Sequence, residues 1–176
     1  MGIYKDFTNL LTPESEELWN NYRRAGCTDC KLHQEAKTVC MFGNGSVTPS
    51  KTSMIVLDQP GDEEDEVARP LIGPGGVFLT RMLGDLGLDP EQFYVTHAVK
   101  CRSAEKDKER LPTAILRACK HYLGSEVVAI NPPFILALGN FAYRFFSGRS
   151  GIGGGRGQPI QAKVKLDKQR IWEGVA

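Results

Sequence analysis

The chain has 176 residues, of which 41% are hydrophobic, and this is enough for one domain with a buried core. Its net charge is only +1, but residues 1–100 carry an excess of six acidic groups and residues 101–176 an excess of seven basic groups. No segment is long and apolar enough to span a membrane, and the N-terminus lacks the apolar stretch of a signal peptide. We therefore expect a single cytoplasmic domain over residues 1–176.

The first predicted elements surround a pair of cysteines. Thr12-Pro13-Glu14 has the cap, proline and acid of a helix start, and the predicted helix ends near Gly26. Cys27 and Cys30 form a CxxC pair directly after it. A strand is predicted over residues 38–42, and Cys40 within it is interpreted as a small buried hydrophobic residue.

The central stretch begins with the apolar run Met54–Leu57, which predicts a buried strand. Asp58-Gln59-Pro60-Gly61 ends that strand, and the acidic run 62–66 and a Pro/Gly-rich loop follow. The next segment predicts a helix, with one apolar face formed by Phe78, Leu79, Met82, Leu83 and Leu86. A strand, a glycine-rich loop and a helix in this order are typical of a ligand crevice at the carboxyl end of a parallel sheet.

The rest of the chain continues the alternation of strands and helices. Residues 102–110 predict an exposed charged loop, and Pro112 begins a helix with an apolar stripe. The remaining predicted elements are strands at 93–99, 134–138, 160–166 and 169–173 and a short helix at 140–146. This order predicts an α/β fold with a mainly parallel sheet and helices on both faces.

Four cysteines are candidates for a metal centre: Cys27, Cys30, Cys101 and Cys119. A chain without a secretion signal is not expected to rely on disulfides. Four thiolates can hold an iron–sulfur cluster or a zinc ion, and free cysteines are the third possibility.

Two further patterns indicate contacts with a nucleotide. The loop containing Gly73 and Gly75 lets backbone N–H groups approach a phosphate or a flipped base, although helix entry alone also explains these glycines. The basic C-terminal half can track a DNA backbone through Arg149, Arg156, Lys163 and Lys165, together with Lys168 and Arg170. Solvated surface charge is the alternative interpretation.

The stretches LDQPGDEED, ARPLIGPGG, YVTHAVKCR and FILALG, together with the four cysteines, resemble the family 4 uracil-DNA glycosylases, the iron–sulfur members of their superfamily. The resemblance covers the region from Cys27 to Gly139. It implies a three-layer α/β/α fold, a [4Fe-4S] cluster on the four cysteines, and hydrolysis of the N-glycosidic bond of a base flipped out of DNA. It also places a His-Pro-Ser motif about where this sequence ends.

The resemblance also assigns roles in the crevice. Asp58 takes the position of the family's catalytic glutamate; a turn aspartate that bonds its own backbone is the alternative. Gln59 stands where the family has alanine, and with the following Pro-Gly-Asp it is similar to a branch that binds uracil-DNA covalently. Leu71 replaces the phenylalanine that stacks on uracil. His97 replaces the asparagine that reads uracil, and a core histidine is the other interpretation.

These replacements predict an activity that is weakened or altered in base specificity. An amide matches uracil O4 and N3–H together, whereas a neutral imidazole carries its donor and its acceptor on opposite ring edges. The alternatives are a non-catalytic DNA-binding module associated with a replication polymerase and a zinc-stabilised α/β binding protein.

Overall fold

A four-stranded sheet forms the centre of the computed structural model, which describes residues 26–45, 48–104, 111–165 and 171–176. The strands are β1 (Asn44–Gly45), β2 (Met54–Leu57), β3 (Tyr94–His97) and β4 (Ile135–Ala137), in the order β1-β3-β2-β4. β2 runs parallel to both of its neighbours, and only β1 is antiparallel. The carboxyl ends of β2, β3 and β4 therefore lie at the same edge of the sheet.

Helices cover both faces of this sheet. They are α1 (Asp62–Val67), α2 (Pro74–Asp85), α3 (Thr113–Ile130) and α4 (Asn140–Ser147). Leu83 of α2 packs with Ile55 and Val95 on one face, while α3 and α4 pack against the face that carries Met54 and Val56. Because both faces are covered, β2 is apolar throughout rather than alternating. The arrangement confirms the predicted α/β/α fold with a mainly parallel sheet.

A second, two-stranded antiparallel sheet packs against α3 and α4. It consists of β5 (Gln161–Lys165) and β6 (Ile171–Val175), close to the predicted strands. Trp172 is almost completely buried, packs edge-on against Phe146, and donates its indole N–H to the Pro132 carbonyl at 2.9 Å. This side chain anchors the hairpin to the end of α3.

The strand predicted over residues 38–42 is wrong. These residues form turns, and the strand lies at Asn44–Gly45 instead. The backbone N–H groups of Lys37 and Thr38 donate to the Asp65 carboxylate, and Cys40 has a φ of 53°, which no strand accommodates. Cys40 itself is buried, as predicted.

The apolar face predicted for α2 is also wrong in part. Phe78, Met82 and Leu86 are 65%, 46% and 72% exposed, so this stripe faces away from the sheet. The packed face follows Gly76, Leu79 and Leu83 instead. A Cβ on Gly76 would lie 2.3 Å from the Leu71 backbone, and this close approach sets which side of α2 faces the protein.

Several predictions concern residues outside the described ranges, namely the helix beginning at Thr12, most of the loop 102–110, and Lys168 and Arg170. Within the described ranges, no helix is long and apolar enough to cross a membrane.

Candidate active site and cysteine centre

Asp58 caps the N-terminus of α4. Its Oδ2 accepts the Asn140 N–H at 2.9 Å, and its Oδ1 accepts the N–H groups of Phe141 and Ala142 at 2.8 and 3.0 Å. The turn aspartate considered from the sequence would bond its own backbone, whereas this carboxylate bonds a helix more than 80 residues away. Burial raises the pKa of Asp58, and the three N–H donors oppose that rise.

Gly139, directly before α4, allows this contact. A Cβ at this position would lie 2.2 Å from the Asp58 carboxyl carbon, and the φ of Gly139 is 107°. Glycine is the residue type that accepts both constraints. The ends of β2 and β4 are therefore joined through one carboxylate and one glycine.

A groove of about 1060 Å³ opens beside this junction. Asp58 and Gln59 form one wall, the backbone of residues 134–138 a second, and the segment 152–160 a third, with Arg156 in it. A volume of this size accommodates a nucleotide. The groove runs along the edge strand β4 and, at Asp58 and Gln59, reaches the carboxyl edge of the parallel strands, where the sequence predicts a ligand crevice.

Two side chains at this edge have buried polar atoms without a normal hydrogen bond among the described residues. They are Gln59, a half-buried residue whose two amide atoms are buried, and His97, whose Nδ1 has no partner and whose Nε2 has only a long contact with a carboxylate. His97 is fully buried at the end of β3, paired in register with Leu57, the residue before Asp58. Buried polar groups without partners are costly and uncommon in folded proteins, so two at one sheet edge indicate a ligand site.

Glu64 is the charged group nearest to His97. Its Oε2 lies 3.4 Å from His97 Nε2, and its two oxygens accept the N–H groups of Gly61 and Leu71, both at 2.7 Å. Burial lowers the pKa of His97 despite the opposing effect of Glu64. Burial works to raise the pKa of Glu64, but the interactions with His97, Gly61 and Leu71 outweigh it and lower that pKa. His97 is therefore neutral near pH 7 beside an ionised carboxylate.

The loop before α2 contributes less to the groove than the sequence predicts. Leu71, Gly73 and Gly75 are absent from the groove lining. Leu71 has a φ of 64°, a costly conformation for a leucine, and its N–H bond to Glu64 helps to hold it. Gly73 precedes the first residue of α2, and a Cβ on Gly75 would meet open space.

Of the four candidate ligand cysteines, Cys27, Cys101 and Cys119 are buried and Cys30 is half-buried. Cys101 Sγ accepts the Cys40 N–H at 3.2 Å, and Cys119 Sγ accepts the Lys100 N–H at 3.4 Å. Burial raises the pKa of Cys101 to about 12 and that of Cys119 to about 11, and charge on the other cysteines adds to both shifts. Across the described part of the chain, however, no three Cys, His, Asp or Glu side chains are arranged to hold a metal ion.

A buried ion pair lies beside these cysteines, and the sequence interpretation missed it. The Lys100 ammonium pairs with Glu126, and Glu126 also accepts hydrogen bonds from Tyr94 Oη, Thr96 Oγ1 and the Gly43 N–H. A buried ion pair is stable only when its remaining donors and acceptors also have hydrogen-bond partners, as they do here. One indication of this pair is present in the sequence, because Glu126 is an acidic residue on the apolar stripe of α3.

The four basic residues proposed to contact DNA that lie in the described ranges are exposed. Arg156 belongs to the groove wall, Arg149 follows α4, and Lys163 and Lys165 project from β5. Lys163 pairs with Glu173 on β6, which partly neutralises it.

Comparison with known proteins assigns the family. Residues 42–173 match the family model of the Uracil DNA glycosylase superfamily. The chain is 37% identical over 121 residues to the type-4 uracil-DNA glycosylase of Thermotoga maritima, covering 68% of this chain and 60% of that protein. It is 34% identical over 127 residues to the type-4 enzyme of Sulfurisphaera tokodaii, covering 71% and 55% of the two chains. This chain therefore belongs to the uracil-DNA glycosylase superfamily, as its motifs predict.

A more distant match is a DNA polymerase of Bacillus phage SP01, 31% identical over 120 residues, which cover 67% of this chain and 12% of the polymerase. The chain spans between half and three-fifths of the length of the type-4 relatives it matches.

The cap on α4 predicts a stability loss when Asp58 is removed. Asp58→Ala leaves three N–H groups without their acceptor and should cost about 1–3 kcal/mol. For a domain of this size the thermal midpoint should fall by roughly 2–12 °C. Asp85→Ala, at the exposed end of α2, is the control. Equal midpoints for the two variants would contradict the capping role.

The lowered pKa of His97 predicts sensitivity to acid. The unfolded chain binds a proton on this histidine below about pH 6.5, whereas the folded chain resists it, so stability is lost as the pH falls through this range. The other charged groups that act on His97 are Glu64, Lys100, Glu126 and Asp58. Between pH 7 and pH 5 the thermal midpoint of the wild type should fall more steeply than that of His97→Asn. Parallel curves would contradict a buried neutral His97.

Proposed function

We propose that this protein is a DNA glycosylase that flips a base from DNA into the groove and hydrolyses its N-glycosidic bond. The observation that carries the proposal is a set of polar groups at one sheet edge: Asp58 and Gln59 line the groove, His97 ends the neighbouring strand, and the Gln59 amide atoms and His97 Nδ1 have no hydrogen-bond partner among the described residues. The type-4 names of the relatives support the same activity. A DNA substrate implies that the protein acts in the cytoplasm or at the nucleoid.

Asp58 is proposed to assist the chemical step. Breaking the bond builds positive charge on the sugar, which a nearby carboxylate stabilises. Oδ1 accepts two N–H groups, but Oδ2 accepts only one, so Oδ2 retains a lone pair that can orient a water molecule. The cap on α4 holds this oxygen in place at the groove wall.

Gln59 and His97 are proposed to contact the base. Gln59 supplies an amide donor and an acceptor at the groove wall, whereas His97, fully buried at the end of the neighbouring strand β3, is not part of the groove lining and would have to become accessible to the base. A neutral imidazole satisfies one edge group of uracil where an asparagine satisfies two, so we expect reduced or altered base specificity. Leu71 adds no aromatic stack, and we assign it and the Gly73–Gly75 loop to the approach of the nucleotide.

A [4Fe-4S] cluster on Cys27, Cys30, Cys101 and Cys119 is part of the proposal. The chemistry of the donor set supports this, although these four side chains, all within the described ranges, are not already arranged around a metal position: four thiols act on one another electrostatically, and two sulfurs accept backbone N–H groups, which stabilise thiolates. A bound cluster would keep these cysteines ionised and tie together the segments that carry them. The chain's own contribution is to hold the thiols in a buried position next to the Lys100–Glu126 pair.

A second candidate function is DNA binding without cleavage, in association with a replication polymerase. The match to a phage DNA polymerase favours it, because a region similar to this chain there forms a small part of a much longer protein. Under this alternative the groove and the basic residues bind DNA, and Asp58 serves only as the cap on α4.

Single-turnover cleavage of uracil-containing single- and double-stranded DNA separates the two functions. We expect excision slower than is usual in the family, a further loss in Asp58→Asn on the order of 10²-fold, and a gain in His97→Asn. Glu63→Gln, an exposed acid on α1, should behave as the wild type. Binding of DNA without cleavage by any variant would support the non-catalytic alternative.

The cluster predicts iron and sulfide in the purified protein. Protein prepared without oxygen should be brown, and Cys101→Ala or Cys119→Ala should lose the colour and stability together. Cys40→Ala, at the remaining cysteine, should keep the iron. A colourless protein with one zinc ion per chain would contradict the cluster.

The basic residues predict a salt-dependent affinity for DNA. Replacing Arg149, Arg156 and Lys165 by Ala should lower the slope of log affinity against log salt by roughly 0.7–0.9 for each phosphate that the protein no longer neutralises. The control is Lys51→Ala with Arg81→Ala, two exposed basic residues in the acidic half, and the change in slope is compared per positive charge removed. Equal slopes for the two sets would argue that this surface does not bind DNA.

A further inference from the structure

Helix α1 carries five acidic residues, and two of them are buried. Asp62, Glu63 and Glu66 are exposed, whereas Glu64 and Asp65 are only 6% and 3% exposed. Carboxylates are rarely buried unless they are paired or hydrogen-bonded. Adjacent residues on a helix point about 100° apart, so these two acids face different parts of the protein.

Glu64 faces the proposed base site. By accepting the N–H groups of Gly61 and Leu71, it holds both ends of the loop that includes α1. Its Oε2 also lies 3.4 Å from His97 Nε2. A carboxylate at this distance favours the neutral tautomer with the ring proton on Nε2, which leaves Nδ1 as an acceptor without a partner.

Asp65 faces the cysteine segment, which we define as residues 27–40. Its carboxylate accepts the N–H groups of Lys37 and Thr38 at 3.0 and 2.9 Å, and its carbonyl accepts Thr38 Oγ1 at 2.6 Å. The cysteine segment ends at Cys40, whose N–H donates to Cys101 Sγ. The surface ion pair Lys37–Glu66 also joins α1 to this segment, and a second, Arg102–Asp62, joins α1 to the residue that follows Cys101.

We propose that Glu64 and Asp65 are positioning residues that link the cysteine segment to His97 through α1. Asp65 fixes the position of α1 against the cysteine segment. Glu64, on the same helix, in turn holds Leu71 and determines the orientation of the His97 ring and which ring nitrogen carries the proton. With the proton on Nε2, His97 offers Nδ1 to an N–H donor of the bound base, such as N3–H of uracil. This last consequence rests on the proposed function, whereas the link itself does not.

The test uses amide hydrogen exchange and the ring nitrogen signals of His97, observed by NMR on the full chain as purified. In the wild type the ring proton should be on Nε2. Glu64→Gln with its amide nitrogen in place of Oε2 should move the proton toward Nδ1 and speed exchange at Gly61 by roughly tenfold, because His97 Nε2 and the Gly61 N–H share Oε2 and an amide nitrogen accepts from neither. Lys37 and Thr38 should be unchanged in this variant.

Asp65→Asn carries the decisive comparison. It should speed exchange at Lys37 and Thr38 and also, through α1, at Leu71, with a change in the His97 ring signals. Glu63→Gln, an exposed acid on the same helix, should change none of these. If Asp65→Asn does not fold, Thr38→Val removes only the bond to the Asp65 carbonyl and should produce the same pattern at a few-fold smaller amplitude.

Two results would overturn the proposal: exchange that changes only at Lys37 and Thr38 in the Asp65 or Thr38 variant, or a His97 proton that stays on Nε2 in Glu64→Gln although exchange at Gly61 is faster. Affinity for DNA containing one uracil, relative to thymine, is measured in parallel. Glu64→Gln should reduce this preference several-fold. A wild type with no preference would count against the proposed function, while the exchange data would still decide the link.

Discussion

The hydrogen bonds from the start of α4 to the Asp58 carboxylate are the constraint on which the rest of the site depends. They join the carboxyl ends of β2 and β4, and the glycine at position 139 is required because the carboxylate occupies the space of its side chain. One wall of the groove is fixed by this junction. The acid proposed to assist hydrolysis is consequently a structural residue too, so its two roles must be separated by measuring stability and rate on the same variant.

The polar groups around this junction fall into two kinds. Glu64, Asp65 and Glu126 are buried carboxylates with several donors each, and they stabilise the structure as it stands. At the same sheet edge, the amide atoms of Gln59 and Nδ1 of His97 are buried without such partners among the described residues. This contrast with the well-satisfied carboxylates is the reason for proposing a polar ligand at this edge. The edge of a nucleobase offers the donors and acceptors that this site lacks.

Much of the fold could be predicted because β2 and the stripe on α3 carry local patterns that tertiary contacts do not override. The strand predicted at 38–42 failed because Asp65, distant in sequence, takes the N–H groups that a neighbouring strand would need. The exposure of Phe78 and Met82 could not be predicted from the sequence either. Periodicity shows that a helix is amphipathic but not how much of its apolar face is covered by the rest of the protein. The family motifs identified Asp58 and His97, but Glu64 became visible only through its contacts.

The central claim is that Gln59 and His97 form a site for a nucleobase. Titration of the isotope-labelled protein with free uracil, followed by NMR, tests it without any contribution from DNA binding or catalysis. We expect the side-chain amide signals of Gln59 and the ring signals of His97 to shift together and to saturate, while the exposed α2 residues Phe78 and Met82 stay unchanged. Shifts that omit Gln59 and His97 at saturating uracil, or no shifts at all, would contradict the claim.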